Sequence, residues 1–156
     1  MVTGATIWET VTLAGSAERT RVARAFVAAV LDPGYPWADD AVLLVSEIFG
    51  NSVRHSRSGA PGETITVAVK VMDSVVRVEV IDRSGPGVPE LNPDGQDGEG
   101  GRGLRLVADL AARWGWCRRG GRTTTWFELC DLLQPMQHSA VSGMWANASD
   151  VQLPGL

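Results

Sequence analysis

Three short segments of the chain carry residue types that are suited to chemistry. The first contains Glu47 and Asn51, a carboxylate and an amide four residues apart. In a helix these two side chains project from the same face. An amide oxygen can ligate Mg²⁺, a hard cation that prefers oxygen, and the carboxylate one turn away can accept a proton from an attacking hydroxyl. A solvated helix face is the plain structural alternative for this pair.

The second segment places Asp82 at the end of an apolar stretch, followed by a loop that contains Gly85 and Gly87. An aspartate at such a place often only starts a turn, because its side chain bonds the backbone downstream. In the functional alternative, its carboxylate accepts a hydrogen bond from the exocyclic amine of adenine, and the glycines let the base approach the backbone. This contact would select adenine over guanine, which presents a carbonyl there.

The third segment, Gly101-Arg102-Gly103-Leu104, opens a predicted helix. Exposed N–H groups at a helix N-terminus favour a phosphate. Residues 98–103 also spell G-x-G-x-x-G, but this fingerprint indicates a dinucleotide site only when it directly follows a strand. Here it follows a long Gly/Pro/Asp loop, so a Rossmann site is rejected. A flexible glycine-rich hinge remains the structural alternative.

Periodicity places these segments on regular elements. Helices are predicted from Ser16, as N-cap, to the stop signal at residues 32–34, from Pro36 to about Arg57, and over 104–111. Strands are predicted over 6–13, 64–72, 75–82, 113–118 and 122–129. Residues 83–101 lack a period, and a stretch of this length is typical of a functional lid or of a disordered segment. We assign one domain to residues 1–130 and a poorly ordered tail to 131–156.

Composition narrows the class of protein. The chain has 156 residues, 44% of them hydrophobic, which suits a single domain with a core. A formal net charge of −4 argues against a general nucleic-acid binder. No apolar run is long enough to span a bilayer and no secretory signal opens the chain, so a cytoplasmic protein without membrane contact is expected.

Taken in order, the three segments resemble the motifs of the GHKL ATPase superfamily, and most closely those of the small bacterial anti-sigma-factor serine/threonine kinases. The resemblance covers about residues 6–130. The N box is matched by Glu47 and Asn51, the first Gly box by Asp82, Gly85 and Gly87, and the second by Gly101, Gly103 and Leu104. It implies an α+β fold, a two-layer α/β sandwich whose mixed, mainly antiparallel sheet carries helices on one face, the histidine-kinase-like ATPase or Bergerat fold.

The resemblance also implies roles for single residues. ATP and Mg²⁺ would lie between the N-box helix and the lid, with Asn51 as the metal ligand and Glu47 as the catalytic base. The residues expected around the nucleotide are Asn51, Asp82, Gly85, Gly87, Gly101, Arg102, Gly103 and Leu104. Ser84 stands where the first Gly box usually has a glycine, and the lid is acidic, which weakens the case for rapid transfer.

Kinases of this kind sequester a sigma factor and phosphorylate a serine or threonine of an anti-anti-sigma antagonist, and they often form homodimers. The resemblance therefore implies these two protein partners and no direct contact with nucleic acid. A non-catalytic module, in which the nucleotide gates a protein-binding surface, is the alternative.

Overall fold

The computed structural model describes residues 6–72, 75–89 and 101–130, and the lid residues 90–100 and the tail from 131 lie outside this range. The strands are β1 (Ile7–Ala14), β2 (Thr64–Met72), β3 (Val75–Arg83), β4 (Arg113–Arg119) and β5 (Arg122–Cys130). The helices are α1 (Thr20–Leu31), α2 (Ala38–His55) and α3 (Gly101–Leu110), and short 3-10 turns cover Ala17–Arg19 and Arg57–Gly59.

The five strands form one sheet in the order β1-β2-β3-β5-β4. Every described pairing is antiparallel, so the expected mixed sheet is wrong in this detail. The reason is the path of the chain after β3. The β4–β5 hairpin returns so that β5, rather than β4, lies beside β3, and a parallel neighbour is avoided. The α+β class and the sandwich are confirmed.

The helices cover one face of the sheet and make a single core with it. Alternate side chains of β2, β3 and β5 point towards the helices, as period two requires, and they pack on buried residues of all three helices. The cluster includes Val27 and Leu31 of α1, Leu44, Ile48 and Phe49 of α2, Val107 of α3, and Val67, Val69, Val78, Val80 and Phe127 of the strands. This packing determines which face of α2 is turned towards β3 and how far the helix lies from the strand. The candidate site lies where these two elements meet.

The opposite face of the sheet carries a chain of paired charges. Arg77 donates from Nε to Glu79 Oε1 at 2.8 Å and from Nη1 to Glu128 Oε1 at 2.9 Å, and Lys70 Nζ lies 3.0 Å from Glu79 Oε1. The Arg77 guanidinium also stacks on the ring of Trp126. Glu128 is 1% exposed, and its other carboxylate oxygen, Oε2, lies 3.7 Å from Arg113 Nη1, so two arginines neutralise this buried charge.

Several helix boundaries differ from the sequence prediction. The helix α2 begins at Ala38 rather than Pro36, and α3 spans Gly101–Leu110 rather than 104–111. Ser16 makes no side-chain capping bond, and α1 begins at Thr20 after a 3-10 turn. The second helix, α2, ends at His55 rather than Arg57, because the Ser56 hydroxyl donates to Ser52 O at 2.6 Å and accepts from Ser58 N–H at 3.0 Å. These two bonds close α2 and start the 3-10 turn that leads towards β2.

Candidate functional site

The polar stripe predicted on α2 is present. Glu47 and Asn51 are half-buried and lie one turn apart, while Ile48, Phe49 and Ser52 of the same helix are buried in the opposite direction. Arg54, an exposed residue, donates from Nη2 to Asn51 Oδ1 at 2.8 Å. An amide oxygen has two acceptor positions, so this bond leaves one position of the oxygen for another partner.

The first turn of α3 lies directly against this stripe. A Cβ added at Gly103 would lie 2.7 Å from Glu47 Oε2 and 3.6 Å from Asn51 Nδ2. Both distances show that the glycine backbone itself approaches the two polar side chains. The structure therefore brings together the pair on α2 and the glycine-rich start of α3, which are separated by about a third of the chain.

The helix α3 begins at Gly101, so the backbone of Gly101, Arg102 and Gly103 forms its first turn. The N–H groups of a first turn have no partner within the helix and carry the positive end of its dipole. The Leu104 side chain is buried. Only the backbone of Leu104, a predicted ligand residue, is therefore available to a phosphate.

Asp82 lies where β3 meets the C-terminal half of α2. It is 5% exposed and pairs across the sheet with Thr123 of β5, which is also buried. Its Oδ1 atom has no hydrogen-bond partner within the described part of the chain. A buried carboxylate oxygen without a donor is unusual and calls for an explanation.

The protonation of Asp82 reflects this burial. Desolvation raises the pKa of Asp82 from 3.8 to about 6, against a side-chain hydrogen bond from Ser52 and the positive charge of Arg118, which both lower it. Perturbed carboxyl groups of this kind are concentrated at functional sites, although structural networks also produce them. The hydrogen bond from Ser52 links Asp82 to the residue that follows Asn51, so Asp82 and the polar stripe on α2 are adjacent.

The loop after Asp82 is held on two sides. Ser84 N–H donates to Gly121 O at 2.9 Å, and the Ser84 hydroxyl shares a hydrogen bond of 2.8 Å with the Thr123 hydroxyl. Ser84, which stands where the motif usually has a glycine, thus has a hydrogen-bond partner for its side chain on β5. On the other side the loop crosses the end of α2 at Gly85, where an added Cβ would lie 2.3 Å from His55 O.

Replacing Gly85 with alanine is expected to move this loop and to destabilise the fold by about 1–3 kcal/mol, because the clashing oxygen belongs to the backbone and has no rotamer to escape into. In a domain of this size that corresponds to a loss of about 2–12 °C in melting temperature. Gly87→Ala is the matched control, since nothing lies within 4 Å of its added Cβ. Equal melting temperatures for the two variants would contradict the close approach at residue 85.

Three residues of this site were missed in the sequence. Ser52, Thr123 and Arg118 reach Asp82 or its loop from α2, β5 and β4. The register of the strands could have revealed these residues. Once β5 is placed beside β3, Thr123 lies opposite Asp82, and Arg118 of β4 lies opposite Thr123. That neighbour relation depends on the order of strands in the sheet, which hydrophobic periodicity does not reveal.

The described residues include no group of three or more histidine, cysteine, aspartate or glutamate side chains arranged to hold a metal ion. Among the described helices, none is both long and apolar enough to cross a membrane.

Comparison with known proteins gives a family and a related fold. The chain matches the family model of the histidine kinase-like ATPase domain over residues 13–129. Among solved structures it is similar to the RsbU and RsbW domains of Rv1364c from Mycobacterium tuberculosis, with a TM-score of 0.58 and 24% identity over 78% of this chain and 32% of that one. The present chain thus spans about a third of that protein, and the likeness concerns the fold.

No curated protein matches the chain. The family model, however, begins at the end of β1, runs through α2, Asp82 and α3, and ends within β5, so it includes every residue of the candidate site. The chain belongs to the histidine kinase-like ATPase domain family.

Proposed function

We propose that the protein binds Mg-ATP and transfers the γ-phosphoryl group to a serine or threonine of a partner protein, as a regulator of the anti-sigma type. The observation that carries the nucleotide part is the unpartnered Oδ1 of Asp82. Leaving a buried acceptor unsatisfied costs about 1–3 kcal/mol. A ligand that donates a hydrogen bond there would remove this cost.

Adenine is the base that fits this oxygen. An ionised carboxylate only accepts hydrogen bonds, and the exocyclic amine of adenine donates them. The carbonyl that guanine carries at the same place would instead face the carboxylate with a second acceptor. The glycines at 85 and 87 leave the neighbouring loop without side chains, so the base can approach its backbone.

The phosphates would lie between the stripe on α2 and the first turn of α3. The N–H groups at Gly101, Arg102 and Gly103 are suited to phosphate oxygens. Asn51 would hold Mg²⁺ through the free acceptor position of Oδ1. When bound, the ion supplies neutralisation of the phosphate charge.

Glu47 is the residue that we assign to proton removal. Its Oε2 is close to the Gly103 backbone and therefore faces the space in which we place the phosphates. A carboxylate in that position can orient the attacking hydroxyl and accept its proton, which contributes about 10²–10⁴-fold to the rate.

The regulatory part of the proposal rests on membership of the family and on the resemblance to anti-sigma-factor kinases. The partners would be a sigma factor and an anti-anti-sigma antagonist that receives the phosphate. A non-catalytic module remains the second candidate, because the same adenine subsite could serve only to gate a protein-binding surface.

Calorimetric titration with ATP, ADP and GTP, each with and without Mg²⁺, tests the nucleotide part. We expect ATP to bind in a Mg²⁺-dependent manner and GTP to bind at least about tenfold more weakly, because guanine leaves the Asp82 oxygen unsatisfied. Equal affinities for ATP and GTP would contradict the role of Asp82, and no binding of either would overturn the proposal.

A further inference from the structure

Arg118 spans the gap between the β4–β5 hairpin and the loop that follows Asp82. Its Nη2 donates to Gly85 O at 3.0 Å and also to Gly87 O, and its Nε donates to Thr123 Oγ1 at 3.2 Å. One guanidinium group thus holds two carbonyls of the loop and a hydroxyl of β5. Its planar fork of donors suits such a multiple contact better than the single ammonium of a lysine does.

The register of the sheet explains why Arg118 is in this place. Asp82, Thr123 and Arg118 face one another in a row across the three neighbouring strands β3, β5 and β4. Thr123 is buried at the centre of this row and shares its hydroxyl with Ser84 as well. The loop is therefore joined to the row at three points, namely residues 84, 85 and 87.

Within the described part of the chain, two hydroxyl side chains and one charged side chain lie near Asp82. Ser52 reaches it from α2, Thr123 lies beside it on β5, and Arg118 acts on it from β4. Arg83, the next residue along β3, forms an ion pair with Glu63 instead, at 2.6 Å. Among the charged groups of the described residues, the Arg118 guanidinium is the one that lowers the pKa of Asp82.

We propose that Arg118 is the positioning residue of the adenine subsite: by holding the carbonyls of Gly85 and Gly87 and the hydroxyl of Thr123, it sets the shape of the loop against which the base lies. This inference deepens the proposed function and rests on it for the identity of the ligand. The two loop carbonyls are turned to the guanidinium, so they do not compete with Asp82 for the amine of the base. The positive charge also favours the ionised carboxylate.

The test compares Arg118→Gln, Arg118→Lys and the matched control Arg119→Gln. Arg119 is exposed on the same strand and belongs to the next row, opposite Arg122. Two quantities are measured: the dissociation constants for ATP and ADP between pH 5.5 and 8, and the titration of the Asp82 carboxyl carbon by NMR in the nucleotide-free protein.

We expect Arg118→Gln to weaken the binding of ATP and ADP about tenfold, the effect of losing charge-assisted bonds, and to raise the pKa of Asp82 above its wild-type value of about 6. Arg118→Lys keeps the charge and loses the fork, so it should restore the pKa and only part of the affinity. Arg119→Gln should change neither quantity. Thermal unfolding shows whether each variant is folded. If Arg118→Gln does not fold, the affinity and the pKa of Asp82 measured for Arg118→Lys decide whether the proposal stands.

The outcomes separate this inference from the proposed function. If wild-type protein binds ATP and both Arg118 variants match it in affinity and in the pKa of Asp82, the positioning role is overturned. If wild-type protein binds neither ATP nor ADP, the proposed function fails. If, in addition, the pKa of Asp82 is the same in Arg118→Gln as in wild type, the electrostatic contact between Arg118 and Asp82 is overturned as well.

Discussion

Replacing Asp82 with asparagine is expected to abolish measurable ATP binding and, at neutral pH, to raise the melting temperature of the nucleotide-free protein. Binding is lost because the neutral amide oxygen of asparagine is a weaker acceptor than a carboxylate, and because the new NH2 group is a donor that competes with the amine of adenine. The fold gains because wild-type protein keeps a desolvated carboxylate with an unpartnered oxygen. We expect a gain of about 1–2 kcal/mol, less than the full shift of pKa would correspond to, since asparagine is polar as well.

The stabilisation should depend on pH in a defined direction. Because the pKa of Asp82 is raised from 3.8 in the unfolded chain to about 6 in the fold, the folded state binds the proton more tightly. Its contribution to stability is therefore complete below pH 3.8 and is lost as the pH rises through about 6. The difference in melting temperature between Asp82→Asn and wild type should thus be largest above pH 7 and disappear near pH 4.

Melting curves between pH 4 and 8, combined with ATP calorimetry, check both parts of this prediction. Asp109→Asn is the control, because Asp109 is an exposed residue of α3, and it should alter neither ATP affinity nor the pH dependence. A wild-type protein whose ATP affinity does not fall below pH 6 would indicate that Asp82 is not the acceptor. If Asp82→Asn has a lower melting temperature than wild type at pH 8, the ionised carboxylate of Asp82 stabilises the fold, which contradicts the prediction.

Replacing Glu47 with glutamine is expected to slow phosphoryl transfer by about 10²–10⁴-fold while ATP binding stays within a few-fold of wild type. Glutamine has nearly the same size as glutamate, so its contact with the Gly103 backbone is kept. What it loses is the ability to accept a proton. The rate is measured as single-turnover hydrolysis of ATP, in which water takes the place of the hydroxyl group of the partner protein. The affinity for ATP is measured by calorimetry.

The result also decides between the two candidate functions. Glu18→Gln is the control for the loss of one negative charge, because Glu18 is exposed on the 3-10 turn before α1. If Glu47→Gln hydrolyses ATP as fast as wild type, Glu47 is not the base, and the nucleotide-gated module becomes the better account. If binding and turnover are lost together, Glu47 supports the architecture of the site rather than the chemistry.

Hydrophobic periodicity was sufficient to predict the helices and strands that hold the site. The buried and polar faces of α2 were separated correctly around Glu47 and Asn51, because a long amphipathic helix repeats its signal over several turns. The strands β2 and β3 were placed within one residue of their observed bounds. Asp82 was assigned correctly to the end of a strand for the same reason.

The contacts around Asp82, which shape the proposed adenine subsite, were not predictable in this way. Thr123 and Arg118 become neighbours of Asp82 only because β5 inserts between β3 and β4, and the sequence order suggests no such insertion. Ser84 was interpreted as a departure from the motif, but its hydroxyl bonds Thr123. Ser16 has the residue type of a helix cap and makes no capping bond, since local propensity yields to the path of the chain after β1.

The strand order has a consequence for the time at which the site can exist during synthesis. The chain produces β5 last among the described elements, yet β5 occupies an interior position of the sheet. Until β5 has left the ribosome, β3 presents an unpaired edge, which favours association with other chains. The wall of the subsite formed by Thr123 is also missing until then. If the protein binds ATP as proposed, the nucleotide can therefore stabilise this part of the fold only after β5 has been synthesised.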